Sequence, residues 1–371
     1  MRLDTLTLAA ATPGHQLSLK VLRFGAPGAR PKATIQAALH ADEVPAMLVA
    51  QALRQRLQQL EDEGQLLGEV QLVPYANPLG LTQHPLGHHQ GRFDLSDGVN
   101  FNRMHPELGA AVADAVAGQL NQDPLHNVAV IRQALNHAAA ALKSPVPVQD
   151  LKHKLVRLAI DSDVVLDMHC DSDAVMHLYA LTPHAELATE LGALLGAQAV
   201  LLASESGDSP FDEACSRPWL QLQERFPTLP IPPACFSTTL ELRGDADTSH
   251  GLAAQDADAI VEFLRRRGIV GGAPAPLPAA LCQPTPLAGS EPITAASAGV
   301  VVFHVAPGQR VDAGTLVADV VDVDSGAVTP VRTVSAGLLY ARVSTRWAWP
   351  GKRLAKVAGT SLARSGKLLS P

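Results

Sequence analysis

His40 and Glu43 stand three residues apart in the sequence. They follow an apolar run, residues 33–39, and precede a helical pattern, residues 44–60, so the pair falls where a buried strand turns into a helix. Both side chains can then point at one spot. Zinc binds imidazole nitrogen and carboxylate oxygen, and a catalytic zinc site has three protein ligands plus an open position. The short spacing also occurs by chance, and the alternative is a surface histidine beside a helix N-terminus whose dipole favours acidic residues.

His169 ends a second apolar run, residues 164–169. A run of this kind is typical of a strand buried on both faces in a parallel sheet. Open α/β sheets bind ligands at the carboxyl ends of their strands, so His169 is a candidate third ligand. The alternative is a core histidine whose hydrogen bonds are satisfied internally.

A long irregular segment, residues 75–103, holds further candidates. Long loops in a compact domain are usually functional, and this one contains Arg92, Asn102 and Arg103. Farther along, a β-branched run over residues 237–243 predicts a strand that contains Glu241 between two leucines. A carboxylate there lies on the solvent face or is buried for a reason.

Strands and helices alternate through residues 1–270, which predicts an α/β domain. Residues 271–286 are rich in Gly, Ala and Pro and are predicted to be a linker. Residues 287–371 then show short valine-rich strands between Gly and Pro turns, which predicts a small all-β domain. The predicted strands are residues 17–21, 33–39, 69–73, 164–169, 175–181 and 237–243. The predicted helices are residues 44–60, 110–142 with a break near 123–124, 151–161, 187–195 and 252–267. Residues 211–226 have a mixed pattern.

The composition is typical of a globular protein, with 47% apolar and 18% charged residues in a chain of 371. The 29 basic and 36 acidic residues give a net charge of −7 without a basic run, so nucleic acid is not expected as a partner. A signal peptide and a membrane span are not predicted, because both need apolar segments that the sequence lacks. The four cysteines are scattered, which favours free thiols in a reducing cytoplasm. The oligomeric state stays open, with a homo-oligomer included.

Four blocks of sequence occur in an order that resembles the succinylglutamate desuccinylase/aspartoacylase family. They are residues 39–43, 100–103, 165–169 and 239–241. The resemblance covers roughly residues 30 to 270. It implies a zinc deacylase with a carboxypeptidase-like mixed sheet flanked by helices.

Carried over by position, the resemblance implies that His40, Glu43 and His169 bind one zinc ion per chain. Glu241 stands where the family has its general base. The same resemblance implies that Arg92, Asn102 and Arg103 bind the substrate and polarise its carbonyl.

The sequence departs from the family pattern at three positions. Ala41 replaces a glycine, and its Cβ needs a negative φ or some strain. Asn100 stands where relatives often have an acid near a ligand histidine, so the support of that histidine can differ. Arg92 lies farther from the Asn-Arg pair than in aspartoacylase itself.

These residues predict hydrolysis of a linear amide in a small N-acyl amino acid or a related carboxylate. Zinc lowers the pKa of its water to about 7, and Glu241 takes the proton. A carboxypeptidase that acts on peptides is the alternative enzyme. A non-catalytic binding protein on the same fold is the alternative from a different class.

Arg243 and four histidines are further candidates for functional roles. Arg243, two residues after Glu241, faces the same way in a regular strand and is a candidate for binding an acyl carboxylate; the alternative is a salt bridge with Asp245 or Asp247. His84, His88 and His89 are interpreted as solvated or rim residues, and His177 as structural.

The C-terminal domain resembles the biotinyl/lipoyl hammerhead. Residues 300–350 contain no lysine that could carry a cofactor arm. We expect the domain to pack on the catalytic part and narrow its pocket, with Tyr340, Trp347 and Trp349 as candidates for that contact.

Overall fold

The structure, a computed structural model, describes residues 1–369 and is built around a nine-stranded sheet. The strand order is β1-β2-β4-β3-β5-β9-β7-β8-β10. The strands of this sheet are β1 (Arg2–Thr7), β2 (Ser18–Phe24), β3 (Lys32–Ala37), β4 (Glu69–Val73), β5 (Val164–Asp171), β7 (His177–Leu181), β8 (Ala199–Ala203), β9 (Phe236–Gly244) and β10 (Thr285–Pro286), and the two-residue strand β6 (Asp173–Ala174) lies outside it.

The centre of the sheet is parallel. Strands β4, β3, β5 and β9 run in the same direction, and β7 pairs antiparallel with β9. β5 is buried along seven of its eight residues because both faces of the sheet are covered, which explains its unbroken apolar pattern. The carboxyl ends of β3, β5 and β9 therefore meet at one edge.

Seven α-helices cover the two faces of this sheet in the described part of the chain. They are α1 (Pro45–Asp62), α2 (Gly109–Val116), α3 (Pro124–Ala141), α4 (Pro147–Ala159), α5 (Ala185–Leu195), α6 (Phe211–Arg225) and α7 (His250–Arg266). One core cluster lies between the sheet and α1, α5 and α7, and a second lies between the sheet and α2, α3, α4 and α6. No helix in residues 1–369 combines the length and the apolar character needed to cross a membrane.

Three elements differ from the sequence prediction. Strands β1 and β8 carry no clear signal, because β1 is a half-exposed edge strand and β8 is a five-residue apolar run. The mixed segment 211–226 is the single helix α6, which contains Pro218 in its interior. The predicted break in the helical stretch near residues 123–124 is confirmed by the separate helices α2 and α3.

The C-terminal region is all β, which confirms the predicted fold class of a mixed α/β part followed by a small β region. Its strands are β11 (Glu291–Thr294), β12 (Gly299–Phe303), β13 (Arg310–Val311), β14 (Leu316–Val321), β15 (Val328–Arg332), β16 (Gly337–Arg342), β17 (Trp347–Ala348) and β18 (Arg353–Ala358). One sheet has the order β11-β18-β16-β13 and the other β15-β14-β12-β17. A separate apolar cluster, which includes Val317, Leu339 and Leu354, fills the space between them.

Backbone pairing joins the β region to the rest of the chain at two places. β6 pairs with β16, and β10, the end of the predicted linker, pairs with β8. A fourth apolar cluster packs Tyr340 of β16 against Tyr179, Leu201 and Leu287. Tyr340 thus makes the predicted contact, whereas Trp347 and Trp349 are about half exposed. The division of the chain into domains at residues 270 and 287 stays a prediction.

We expect Tyr340→Ala to lower the free energy of unfolding by about 3–5 kcal/mol, because the ring is 2% exposed and its loss leaves a cavity in the joining cluster. Tyr340→Phe should cost about 1 kcal/mol, since it removes the hydroxyl that lies 3.1 Å from Ser290 Oγ. Urea unfolding measures both. Trp349→Ala, at a residue 54% exposed, is the control, and equal midpoints for the Tyr340→Ala and Trp349→Ala variants would contradict this role for Tyr340.

Candidate metal centre and surrounding cavity

His40 and Glu43 lie in the short loop between β3 and α1. The loop backbone is buried from Ala37 to Ala41, and α1 begins with Pro45 in its first turn, where a missing N–H costs nothing. Ala41 does not have a positive φ; Ala38 does, at 55°. The backbone strain that the sequence suggests at Ala41 therefore lies at Ala38, where the chain leaves β3.

His169 lies near the carboxyl end of β5, between the other two strands that supply site residues. In the sheet register Met168 pairs with Ala37 of β3, and His169 pairs with Glu241 of β9. Because the strands are parallel, residues that are far apart in sequence end at the same edge of the sheet. The structure thus brings His40, Glu43, His169 and Glu241 together.

The Glu43 carboxylate lies between the two imidazole rings. Its Oε1 is 2.8 Å from His40 Nδ1, and its Oε2 is 2.7 Å from His169 Nδ1. The ligand atoms of the three residues lie within 4.8 Å of one another. The Cys170 backbone N–H also donates to Oε2, at 3.1 Å, which fixes the carboxylate in place. Cys170 contributes its backbone here, and burial raises the pKa of its thiol.

The outer nitrogen of each ring faces an acceptor. His40 Nε2 is 2.9 Å from Asn100 Oδ1, and His169 Nε2 is 2.9 Å from Asp167 Oδ2. Asn100 Oδ1 also accepts from the Asn102 backbone N–H, at 2.8 Å, so it is an oxygen and His40 Nε2 must be the donor. Asn100 thus supports the His40 ring with a neutral oxygen rather than with a carboxylate.

A divalent cation fits this arrangement. With its proton on Nε2, neutral His40 turns the Nδ1 lone pair toward a carboxylate oxygen only 2.8 Å away. Two facing acceptors at that distance repel unless a positive charge lies beside them; Arg92 supplies part of that charge, and a bound cation would supply the rest. Two imidazole nitrogens and a carboxylate are also the ligand set of many catalytic zinc sites.

The charges of the three residues are coupled. Burial, and then Arg92, lowers the pKa of His40 to about 4. Burial opposes the charge of His169, but the Asp167 and Glu43 carboxylates together raise its pKa well above the usual value. Burial likewise opposes ionised Glu43, and the two histidines hold its pKa well below the usual value. The site therefore keeps an ionised carboxylate that requires a neighbouring positive charge.

Asp167 is a site residue that the sequence analysis overlooks. It lies two residues before His169 on β5, so both side chains point to the same face of the strand. Gln36 Nε2 donates to its other oxygen at 2.8 Å, and the residue is completely buried. The i, i+2 spacing of Asp167 and His169 is the signal that could have identified it.

Arg92 lies over His40 and Glu43. Its Nη1 is 3.2 Å from His40 Nδ1 and 3.4 Å from Glu43 Oε1. Gly91 makes this approach feasible, because a Cβ at that position would lie 2.1 Å from the Asp42 backbone nitrogen. The tight contact between the two loops therefore places Arg92 beside His40 and Glu43.

Asn102 and Arg103 are buried beside the ligands. Asn102 Nδ2 is 3.3 Å from His169 Nε2, and Asn102 Oδ1 accepts from the Phe211 backbone N–H at 2.8 Å. Lys152 of α4 holds their loop by donating to the carbonyls of Asn100 and Arg103, at 3.1 and 2.7 Å. Burial lowers the pKa of Lys152 to about 8. Lys152 carries no sequence motif and is recognised only from these contacts.

One cavity, called here the central cavity, is lined by His40, His169, Arg92, Asn102, Arg103 and Glu241. Burial, followed by the Glu43 and Asp171 carboxylates, raises the pKa of Glu241 to about 8. Glu241 Oε2 has no hydrogen-bond partner among residues 1–369. The carboxyl group is thus close to the ligands and available to a bound molecule.

The central cavity also contains residues that the sequence did not indicate. Lys356 of β18 lines it from the C-terminal region and forms a close ion pair with Asp171. Asp212 and Glu213 of α6 line it as well, and burial, followed by Glu213, raises the pKa of Asp212 to about 7. The expected packing of the C-terminal region against the pocket is therefore observed.

Arg243 does not follow the prediction. Its guanidinium forms a bidentate ion pair with Asp256 of α7. The expected partners were an acyl carboxylate in the cavity or, as the alternative, Asp245 or Asp247. The prediction assumed a regular strand, but Arg243 has φ 66° and the pairing of β5 with β9 shifts register here. This irregularity turns the side chain away from the face that carries Glu241.

The remaining histidine candidates lie outside the centre. His84 and His88 are exposed, and His84 and His89 stack with their rings 4.5 Å apart while each faces a backbone carbonyl. His177 is completely buried, its Nδ1 lies 2.8 Å from the Val175 carbonyl oxygen, and burial lowers its pKa to about 4. These contacts agree with solvated and structural roles.

Comparisons with known proteins bear on the whole chain. The family profile described as succinylglutamate desuccinylase/aspartoacylase catalytic domain matches residues 29–221. Among solved structures, a succinylglutamate desuccinylase/aspartoacylase family protein from Shewanella amazonensis SB2B is similar with 26% identity and a TM-score of 0.85, covering 96% of this chain and 98% of that one. No curated protein matches in the sequence comparison.

Two more distant structures share the fold. A succinylglutamate desuccinylase/aspartoacylase from Shewanella frigidimarina NCIMB 400 has 23% identity and a TM-score of 0.85, covering 97% of each chain. The ectoine utilization protein EutE (DoeB) from Ruegeria pomeroyi has 18% identity and a TM-score of 0.67, covering 97% of this chain and 95% of that one. The similarity thus extends through the C-terminal β region.

We expect Asp167→Asn to weaken zinc binding roughly 10- to 100-fold, because it removes the charge that orients the His169 ring. Competition with a chromophoric chelator measures the affinity. His169→Ala should lower it further, and Asp258→Asn, at a half-exposed surface ion pair with Arg56, should leave it unchanged. Equal zinc affinity in the Asp167→Asn and Asp258→Asn variants would contradict the supporting role of Asp167.

Proposed function

The chain belongs to the succinylglutamate desuccinylase/aspartoacylase family, and from this premise we propose that it is a zinc-dependent hydrolase of a linear amide. Its substrate is a small N-acyl amino acid or a related carboxylate. The observation that carries the proposal is the convergence of His40, Glu43 and His169 beside Glu241 and Arg103 in one cavity.

In this proposal His40, Glu43 and His169 hold the metal ion. The ion supplies Lewis-acid polarisation of the amide carbonyl and lowers the pKa of water to about 7. Asn100 and Asp167 keep both rings in the tautomer whose Nδ1 lone pairs face Glu43. Zinc is favoured over harder cations because two of the three ligands are imidazoles.

Glu241 acts as the general base. It takes a proton from the attacking water and passes it to the departing amine. Burial raises the pKa of Glu241 to about 8, so this carboxyl group holds a proton more readily than an exposed one, as a group that accepts and then returns a proton must. Its unpartnered Oε2 supports this role, since a carboxylate engaged in an internal ion pair would be a poorer base.

Three polar side chains position the substrate. Arg103 binds the substrate carboxylate through its planar guanidinium, and Asn102 fixes the orientation of the bound molecule. Arg92 donates to the developing oxyanion, a contact worth about 3 kcal/mol in the transition state. The position of Arg92 next to the ligand atoms supports its assignment.

The carboxypeptidase alternative is less well supported. Lys356 of the C-terminal region lines the central cavity beside Glu241, so the cavity is bounded from two sides of the molecule. A bounded cavity favours a small substrate over an extended peptide.

We also propose that the protein acts in the cytoplasm. Its four free cysteines agree with a reducing compartment.

We expect the zinc-loaded protein to hydrolyse members of a panel of N-acyl amino acids, with Glu241→Gln lowering kcat by roughly 10²- to 10⁴-fold. The zinc content of the variant should stay that of the wild type, because Glu241 is not a ligand. Glu224→Gln, at an exposed residue of α6, is the matched control. If zinc-loaded wild type hydrolyses no member of the panel, the non-catalytic binding protein becomes the better interpretation.

We expect Arg103→Lys to raise KM roughly 10- to 100-fold for an N-acyl amino acid, because lysine cannot form the two parallel hydrogen bonds of a guanidinium. The same variant should change KM little for the amide-capped version of that substrate, which lacks the carboxylate. Steady-state kinetics on the two compounds tests this role. An equal increase for both compounds would show that Arg103 does not recognise the carboxylate.

A further inference from the structure

The C-terminal segment, defined as the described residues 361–369, returns from the β region to the catalytic part. It follows β18 and contains no regular strand or helix. Its path runs beside residues 206–208 and 287–288. It therefore lies next to the loops at the ends of β8 and β10.

Specific contacts hold this segment. The Leu368 N–H donates to the Ser206 carbonyl at 2.9 Å, and Lys367 Nζ is 2.8 Å from Asp208 Oδ1. The Arg364 N–H donates to the Ala288 carbonyl at 3.1 Å. The Leu368 side chain is 7% exposed and belongs to the apolar cluster that joins the two parts of the chain.

These contacts deliver Leu369 to the wall of the central cavity. Leu181 of β7, Leu201 of β8 and Leu287 line the same cavity. The strand order runs from β5 through β9 and β7 to β8, so these leucines lie on the far side of Glu241 from His169. The cavity therefore has a polar part at His40 and His169 and a leucine-rich part, called here the apolar part, beside the C-terminal segment. Ser206 and Lys356 line the same cavity.

We propose that the apolar part of the central cavity is a subsite for an aliphatic acyl chain, and that Leu369 sets the length of chain it accepts. The proposal rests on the proposed deacylase function. If Arg103 holds the carboxylate of the amino acid, the acyl group is the part of the substrate left to occupy the leucine-lined wall. Each buried methylene then improves binding roughly fourfold until the chain meets Leu369.

Two acidic residues, Asp212 and Glu213, line the same cavity. Glu213 Oε1 accepts from the Ser206 backbone N–H at 2.7 Å, and burial raises the pKa of both carboxyl groups, which lowers the tendency of each to ionise beside hydrocarbon. A charged acyl group that pairs with them is the competing occupant.

The test compares wild type with Leu369→Ala and Leu369→Phe in the full-length, zinc-loaded protein. One arm measures kcat/KM on the acetyl, butyryl, hexanoyl and octanoyl derivatives of one amino acid, and on its succinyl and 6-aminohexanoyl derivatives, whose acyl groups end in a charge. A second arm measures binding of the matching straight-chain carboxylates by calorimetry. Leu281→Ala, at a residue 63% exposed in the segment before β10, is the control.

We expect the preferred chain to lengthen in Leu369→Ala, to shorten in Leu369→Phe and to stay unchanged in Leu281→Ala. Opposite shifts in two variants of one residue cannot result from a general loss of stability. Identical chain-length profiles in all four proteins would overturn the subsite while leaving the deacylase function intact. A preference for acyl groups with a charged end, or no binding of any aliphatic member, would also overturn it.

The two arms separate the subsite from the function on which it rests. A chain-length shift in binding without hydrolysis of any amide would support the subsite and contradict the deacylase function. Hydrolysis of amides with a chain-length preference that does not change in the Leu369 variants would support the deacylase function and contradict the subsite.

Discussion

The Glu43 carboxylate lies buried between the imidazole rings of His40 and His169, and its charge has to be balanced by the groups around it. Only 13% of the side chain is exposed, and each oxygen faces a histidine nitrogen. An uncompensated charge in such a place costs several kcal/mol, so the surrounding strands must hold both rings close enough to share it. The register of β3 with β5 and of β5 with β9 meets this requirement, because it ends three buried strands at one edge.

The supporting residues follow from the same constraint. Asp167 and Asn100 fix the outer ring nitrogens, Lys152 holds the loop that carries Asn100, and Gln36 holds Asp167. Each of these buried polar groups needs its own partner, so the network extends from the centre into the helices. The Lys356–Asp171 ion pair carries it farther, into the C-terminal region. The cavity is thus bounded by both parts of the chain, which links its shape to the way they pack.

Much of this could be predicted from patterns in the sequence. Apolar runs identify β3 and β5, a β-branched run identifies β9, and helical periodicity identifies α1 and α7. The spacing of His40 and Glu43 at a strand-to-helix turn indicates a metal site. The change to short valine-rich strands after residue 287 indicates the β region. Each of these features depends on residues that are close together in the sequence, so a local pattern is enough to predict it.

Other features arise only from contacts between distant segments. The irregular pairing at Arg243 reverses a side chain that strand periodicity would aim at the cavity. Lys356 and Leu369 enter the cavity because the last strand and the C-terminal segment fold back onto it, and neither belongs to a motif. Most strands and helices, and the residue types that could bind a metal, follow from the sequence alone, since they depend on residues close together in the chain. Which side chains surround His40, Glu43 and His169 depends on sheet register and on packing between segments far apart in the chain, so it is fixed only by the folded structure.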